Sequence, residues 1–183
     1  KRGQKEIIES ILAGKHTLGI LPTGSGKSLC YQLPTYLIEK PTLVISPLIS
    51  LMDDQVMQMK LNGESHVSYI HSGMDEIEKR NHINQISQSR FIYLSPEFLL
   101  QPQNFKLISH LDFGLIVLDE AHCLSEWGYD FRPHYALIGQ ITSHFKNARI
   151  LALTATAPPH LEEDLSHILS IDLNAVSYTH LRA

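Results

Sequence analysis

Cysteine is scarce: Cys30 and Cys123 are the two in 183 residues, and they stand in no CxxC or Cys/His ligand spacing. That excludes a disulfide-stapled scaffold and a cysteine-built zinc site, and fits two buried thiols in a reducing, intracellular setting, cytoplasmic if the source is bacterial. Long apolar runs are missing as well. No stretch approaches the ~18 residues that a membrane span needs, and the first residues carry no signal-peptide pattern, so no membrane partner is expected. Charge of one sign is not in excess either, with a formal net charge of −4 and a pI near 6.3. This balance argues neither for nor against nucleic acid, because binding follows local basic and aromatic patches and not the total. Low-complexity segments and internal repeats are absent from the sequence.

What is present is one domain's worth of chain, 43% hydrophobic, enough to bury a substantial core. In residues 4–14, Ile7, Ile8, Ile11 and Leu12 share one helical face and Gly14 suits a left-handed cap. Residues 17–21 then read as a buried strand, a glycine-rich loop follows, and a helix is expected from Lys27 with an interruption near Pro34. The alternation repeats, with strands at 42–46, 66–70, 91–95, 115–119 and 149–154, and helices at 48–61, 74–88 and from Pro158-Pro159 onward. Short apolar strands separated by helices predict a three-layer α/β domain with a mainly parallel sheet, covered on both faces. The domain is expected over 1–173. Residues 174–183 read as a truncated linker or non-native tail, since Ser177-Tyr178-Thr179-His180-Leu181-Arg182-Ala183 resembles a translated sequencing-adapter scar. The chain opens on Lys1-Arg2-Gly3-Gln4 without an initiator Met, and both ends look cut.

Two segments carry chemistry. In Thr23-Gly24-Ser25-Gly26-Lys27-Ser28 the small residues let backbone N–H groups converge on phosphate oxygens at a helix start, whose positive end favours anions. Lys27 would neutralise β- and γ-phosphates and the Ser28 hydroxyl would ligate Mg2+. Leu21 stands where the strict G-x-x-x-x-G-K-[ST] pattern has its first glycine, so alone the segment also fits an ordinary glycine-rich turn. The second segment is the apolar strand Leu115-Ile116-Val117-Leu118 ending in Asp119 and Glu120. Asp119 would hold magnesium and Glu120 would orient and deprotonate an attacking water. Taken alone, the two acids also fit solvated strand-end charges, and His122 fits either a core histidine or a relay. Together with the loop they point to an ATP-hydrolysing site.

The run from Asp119-Glu120-Ala121-His122 through Cys123-Leu124-Ser125-Glu126-Trp127-Gly128-Tyr129-Asp130-Phe131-Arg132-Pro133 resembles motif II and the aromatic-rich loop of the RecQ family of superfamily 2 DNA helicases. Residues 21–34 resemble motif I, including the non-glycine first position, and 44–55 resemble motif Ia. Tyr93-Leu94-Ser95-Pro96-Glu97 matches a further family segment, and 152–157 resemble motif III. The resemblance covers nearly all of residues 4–173.

It implies a RecA-like P-loop NTPase fold and an ATP-driven motor moving 3′ to 5′ on single-stranded and forked DNA, with a second RecA-like domain in cis supplying arginines across the ATP cleft. It implies that Gln4 reads the adenine edge, although by its own chemistry Gln4 is equally an exposed helix-start residue. Trp127, Tyr129 and Phe131 would stack unpaired bases, where composition alone makes them satellite core, and Arg132 would contact phosphate or sense the nucleotide. Ser46-Pro47 and Ser95-Pro96-Glu97 would touch the DNA backbone, while His122, Thr154 and Thr156 would link hydrolysis to domain movement. Tyr129 departs from the family's usual histidine, so an imidazole relay is not implied there. The family's zinc site and winged-helix modules have no counterpart in these residues. An RNA-directed ATPase and a non-catalytic ATP-dependent binding module stand as alternatives, with a P-loop kinase behind them for want of an acceptor-binding lid.

Overall fold

The alternation of apolar runs and helical stretches closes into one sheet sandwiched between helices. The computed structural model describes residues 3–99, 101–126 and 132–177. Helix α1 (Gln4–Leu12) leads into β1 (Thr17–Ile20), α2 (Leu29–Ile38), β2 (Thr42–Ile45), α3 (Ile49–Leu61) and β3 (Val67–Ile70). Then come α4 (Glu76–Gln85) with a 3-10 turn at Ile86–Gln88, β4 (Phe91–Leu94), α5 (Pro96–Leu99), α6 (Pro102–Ile108) and β5 (Leu115–Leu118). The chain continues through α7 (His122–Glu126), α8 (Arg132–His144), β6 (Arg149–Thr154), α9 (Leu161–Leu169) and β7 (Asn174–Ser177). Among the described residues the seven strands run in the order β3-β4-β2-β5-β6-β1-β7, every neighbouring pair parallel.

Period-2 alternation within these strands divides the core between two faces. Val44, Tyr93, Leu115, Val117, Leu151 and Leu153 pack with Ile7 and Ile11 of α1, Tyr31 of α2 and Met52, Val56 and Met59 of α3. Their sequence neighbours Leu43, Ile45, Ile92, Ile116, Leu118 and Ile150 pack on the other face with Ile138 and Ile141 of α8 and Leu161, Leu165 and Leu169 of α9. Each such side chain contributes roughly 1.5–3 kcal/mol by leaving water. Gly19 marks where α1 lies closest to the sheet: a Cβ there would fall 2.6 Å from Ile7 Cδ1 and 2.9 Å from Leu153 Cδ2.

The ladder register lines up the carboxyl ends of the strands, pairing Ile45 with Leu94 and Leu118, and Ile20 with Thr154. The expected strand ends Ser46, Ser95 and Asp119 fall one residue past the strands, yet their amides still donate to the carbonyls of Leu94, Ile70 and Ile45. The phosphate loop and the acids of β5 therefore emerge at one edge of the sheet.

The structure corrects four expectations. The break near Pro34 does not occur, and α2 runs through it with Thr35 Oγ1 donating to the Tyr31 carbonyl at 2.7 Å. The helix expected at 74–88 is shorter, because the Asp75 carboxylate caps α4 by accepting from the amides of Ile77 and Glu78, both at 2.8 Å. The closing helix begins at Leu161 and not at the prolines, after His160 in the left-handed region at φ 70°. Residues 174–177, expected beyond the domain, form β7 and extend the sheet beside β1, pairing Thr17 with Asn174 and Ile20 with Ser177. Only Ala175 and Val176 are apolar between Asn174 and Ser177, so no apolar run marks this strand in the sequence. Helices α5, α6, α7 and α8 were also not anticipated.

Candidate nucleotide site and helicase motifs

The phosphate loop leaves β1 with the Leu21 amide donating to the Thr154 carbonyl at 3.0 Å, then turns through Ser25 N–H to the Pro22 carbonyl at 3.2 Å. Gly24 and Gly26 adopt φ +73° and +84°, a region L side chains rarely occupy. At Gly26 a Cβ would also lie 2.8 Å from the Gln4 amide nitrogen. That nitrogen donates to the carbonyls of Ser25 and Gly26, both at 2.9 Å, so Gln4 holds the back of the loop from α1. Thr23 is exposed in the loop. Lys27 and Ser28 lie in a tight turn, with Leu29 and Cys30 amides bonded to the carbonyls of Gly26 and Lys27, and α2 follows directly.

Across the sheet edge, Glu120 takes a left-handed backbone, φ 49°, pinned between Asp119 N–H bonded to β2 and Ala121 N–H bonded to the Leu153 carbonyl of β6. A non-glycine residue there is costly and is held by its surroundings. Lys27 Nζ reaches Glu120 Oε1 at 3.3 Å, with both side chains nearly buried. Asp119 is 7% exposed. Burial and the adjacent Glu120 charge push its carboxyl up, against the downward pull of Lys27, the Glu120 amide and Gln55.

His122 links the acid to β6. Its Nδ1 lies 2.9 Å from Thr154 Oγ1 and 3.4 Å from Glu120 Oε2. Thr154 Oγ1 donates to the Thr156 carbonyl at 2.7 Å and accepts from the Thr156 amide at 3.2 Å. With the hydroxyl proton so committed, the proton between ring and hydroxyl belongs to His122 Nδ1.

These residues suit a nucleotide triphosphate and a hard cation. The loop is open above Gly24, Ser25 Oγ is a buried hydroxyl without a partner, and Asp119 is a desolvated carboxylate favouring a nearby positive charge. Among the described residues no group of three His, Cys, Asp or Glu side chains forms a metal cage of its own. A cation held here would thus complete its shell with phosphate oxygens and water, as Mg2+ does.

The family model for DEAD/DEAH box helicases matches residues 1–164. The chain belongs to the DEAD/DEAH box helicase family. It is 46% identical over 171 residues to the protein named probable ATP-dependent DNA helicase RecS of Bacillus subtilis (strain 168), a match covering 93% of this chain and 34% of that relative. To ATP-dependent DNA helicase RecQ of Pasteurella multocida (strain Pm70) it is 44% identical over 173 residues, covering 93% of this chain and 27% of the relative. The resemblance to RecQ-family DNA helicases read from the motifs is matched by these relatives. The chain spans only 27–34% of their length. Its fold also matches the DUF1998 helicase MrfA bound to DNA and AMPPNP, with a TM-score of 0.77 at 18% identity over 97% of this chain and 27% of that one.

In this helicase domain the other motif residues sit on the same edge. Ser46 is buried with its hydroxyl unpartnered, and Pro47 is partly buried. Ser95 is buried and its Oγ accepts from the Phe98 amide at 3.3 Å, starting α5 at the buried Pro96, while Glu97 is exposed. Trp127, Tyr129 and Phe131 lie outside the described residues, as does the side chain of Arg132. Among the described residues no helix is long and apolar enough to cross a membrane.

Sequence reasoning gave no role to Tyr31 and Gln55, which are hydrogen-bonded to each other beneath the loop. A polar residue on a helix expected at 48–61 gives no warning of such a partner. The signal available was Gln55 within the motif Ia segment.

Proposed function

We propose that this chain is the first motor domain of a RecQ-type helicase, binding and hydrolysing Mg-ATP and coupling that cycle to 3′–5′ movement along single-stranded DNA and to duplex unwinding. The observation that carries the reading is the 3.3 Å approach of Lys27 to Glu120 across 93 residues of sequence, with His122 joining the same carboxylate to Thr154. Backbone amides of residues 23–28 and the Lys27 ammonium bind and orient the phosphates. Ser28 and Asp119 hold the magnesium ion, which neutralises charge on the phosphate oxygens when bound. Glu120 accepts the proton of the attacking water, and its strained backbone fixes where that carboxylate stands. Gln4, already bonded to the loop, would join adenine recognition to loop conformation.

In the same reading, His122, Thr154 and Thr156 carry the state of Glu120 to β6 and from there to a second RecA-like domain in cis. That domain supplies the arginines that stabilise charge on the transferring phosphoryl group, and closing of the cleft ratchets the strand. Pro47 and Glu97 would face the strand path, with the buried Ser46, Ser95 and Pro96 setting their position, and Trp127, Tyr129, Phe131 and Arg132 would contribute stacking and a phosphate contact. By itself the chain binds Mg-ATP weakly, hydrolyses it slowly and unwinds nothing.

The test is steady-state ATP hydrolysis by the chain joined to its natural downstream sequence, without nucleic acid, with single-stranded DNA and with single-stranded RNA. Strong DNA-specific stimulation that disappears in Glu120→Gln is expected. Equal rates under all three conditions would replace the motor with a nucleotide-switched binding module, and stimulation by RNA alone would favour an RNA-directed ATPase.

A further inference from the structure

At the carboxyl edge of β3 and β4 a cavity of about 390 Å³ opens between α4 and the pair α5 and α6. In the sheet order β3 stands five strand positions from β1, roughly 24 Å at the usual strand spacing, so this cavity is separate from the phosphate loop. Glu97 lines it, which makes it adjoin the strand path proposed above.

The α4 wall is charged where a helix beside a sheet is normally apolar. Glu76, Lys79, Arg80 and Ile83 share one side at i, i+3, i+4 and i+7, the spacing that carries the apolar stripe of such a helix. Here it carries three charges and one isoleucine, and α4 buries none of its residues. The space beside it is therefore lined for a polar occupant. Lys79 is held by Glu76 at 3.0 Å with its side chain only 23% exposed. Arg80 makes no hydrogen bond or ion pair among the described residues, so its guanidinium is available to an anion.

The opposite wall offers a ring and two amides. Phe98, like Ile83 across from it, packs one side on the core and leaves the other to the cavity. Asn104 Nδ2 donates to the Phe98 carbonyl at 2.8 Å, which fixes the amide and leaves Oδ1 as an acceptor. Gln101 Oε1 accepts from Gln103 Nε2 at 3.0 Å and from Asn104 Nδ2 at 3.4 Å, which leaves the Gln101 N–H groups as donors. Glu97 on this wall repels phosphate, so an anionic group settles against α4.

We propose that this cavity holds one nucleotide of the single strand, its phosphate on Lys79 and Arg80, its base against Phe98 and hydrogen-bonded at the edge by Gln101 and Asn104. This rests on the DNA reading above. A nucleotide is the class that fits, because one end is anionic, the ring faces stack and the base edge both donates and accepts. An acidic peptide side chain would use the cations and leave the ring and both amides idle.

The test is fluorescence anisotropy of a labelled oligothymidylate, and of an abasic strand of the same length, with the chain joined to its natural downstream sequence, over a series of KCl concentrations without nucleotide. Urea unfolding is measured beside it. Arg80→Gln and Lys79→Gln should each lower the slope of log affinity against log salt by about 0.7, the value of one phosphate contact on a single strand. Lys40→Gln removes the same charge at the amino end of β2, on the opposite edge of the sheet, and should leave the slope unchanged. Phe98→Leu keeps an apolar side chain on the core but removes the ring face, so it should weaken the oligothymidylate about fivefold and the abasic strand not at all.

A slope that moves no more in Arg80→Gln and Lys79→Gln than in Lys40→Gln would overturn the proposal. So would equal weakening of both strands by Phe98→Leu, which would make the ring a packing residue only. If the unaltered protein binds neither strand, the DNA reading itself falls and the proposal with it, whereas firm binding with unmoved variants removes the cavity alone.

Discussion

Glu64 gives a stability test at the edge of the sheet opposite the nucleotide residues. The carboxylate is 8% exposed and accepts from the Tyr36 hydroxyl at 2.7 Å, the His66 amide at 2.8 Å and Arg90 at 3.2 Å. It ties α2 to the amino ends of β3 and β4. Arg90 is 45% exposed, so its ion pair contributes only about 0–1 kcal/mol. Bonds from Tyr36 and His66 to a charged acceptor contribute more, about 1.5–3 kcal/mol each. Glutamine keeps one acceptor and loses the charge, so Glu64→Gln should cost about 2 kcal/mol at pH 7. Burial pushes the Glu64 carboxyl up, but the Tyr36 hydroxyl, the His66 amide and Arg90 outweigh it and hold it below its ordinary 4.5. A depressed folded value means that the contribution is complete above the unfolded pKa and is lost as pH falls through the folded one. The gap between wild type and variant should therefore close below about pH 4.5, read by urea unfolding at pH 7 and at successively lower pH. A gap that persists unchanged into that acid range, or no gap at pH 7, would refute the assignment.

Gly19→Ala should overpack α1 against β1, because its Cβ would meet two fully buried side chains, and should cost about 1–3 kcal/mol by thermal or urea unfolding. Unchanged stability would show that Ile7 and Leu153 yield freely. Asp75→Ala removes both capping bonds of α4 and should cost that helix about 1 kcal/mol. Since α4 contains no buried residue, hydrogen exchange should speed up in its first turn while the global urea midpoint barely moves. A large shift in the midpoint would mean that α4 belongs to the cooperative core.

Strands were legible because parallel strands buried on both faces read as continuous apolar runs, and β6 was read to the residue at Arg149–Thr154. Pro34 misled because proline in an isolated helix removes a hydrogen bond, whereas here the packed face of α2 holds the helix through it. Helices α5, α6 and α7, of four, seven and five residues, carry too few turns for a period to register, whereas α8, thirteen residues long, was read only through its amino end, Arg132-Pro133, as part of the aromatic-rich loop. The phosphate loop and Asp119-Glu120 were visible as residue types in fixed local order. His122 reads as a relay in the company of the acids, with a core histidine as the alternative, and its geometry against Thr154 shows which atom carries the proton.

By itself the sequence determined the local pieces: which segments are strands, where a glycine-rich turn opens a helix, and which acids end a buried strand. These follow from side-chain size, period and backbone freedom over a few residues. Only the tertiary structure decided the strand order β3-β4-β2-β5-β6-β1-β7, and with it which pieces meet. Apolar strands of similar length carry no label for their neighbours, so order is set by the long-range packing of helices on both faces. That packing brings Lys27 to Glu120, joins His122 to Thr154, and runs Tyr31 and Gln55 beneath the site.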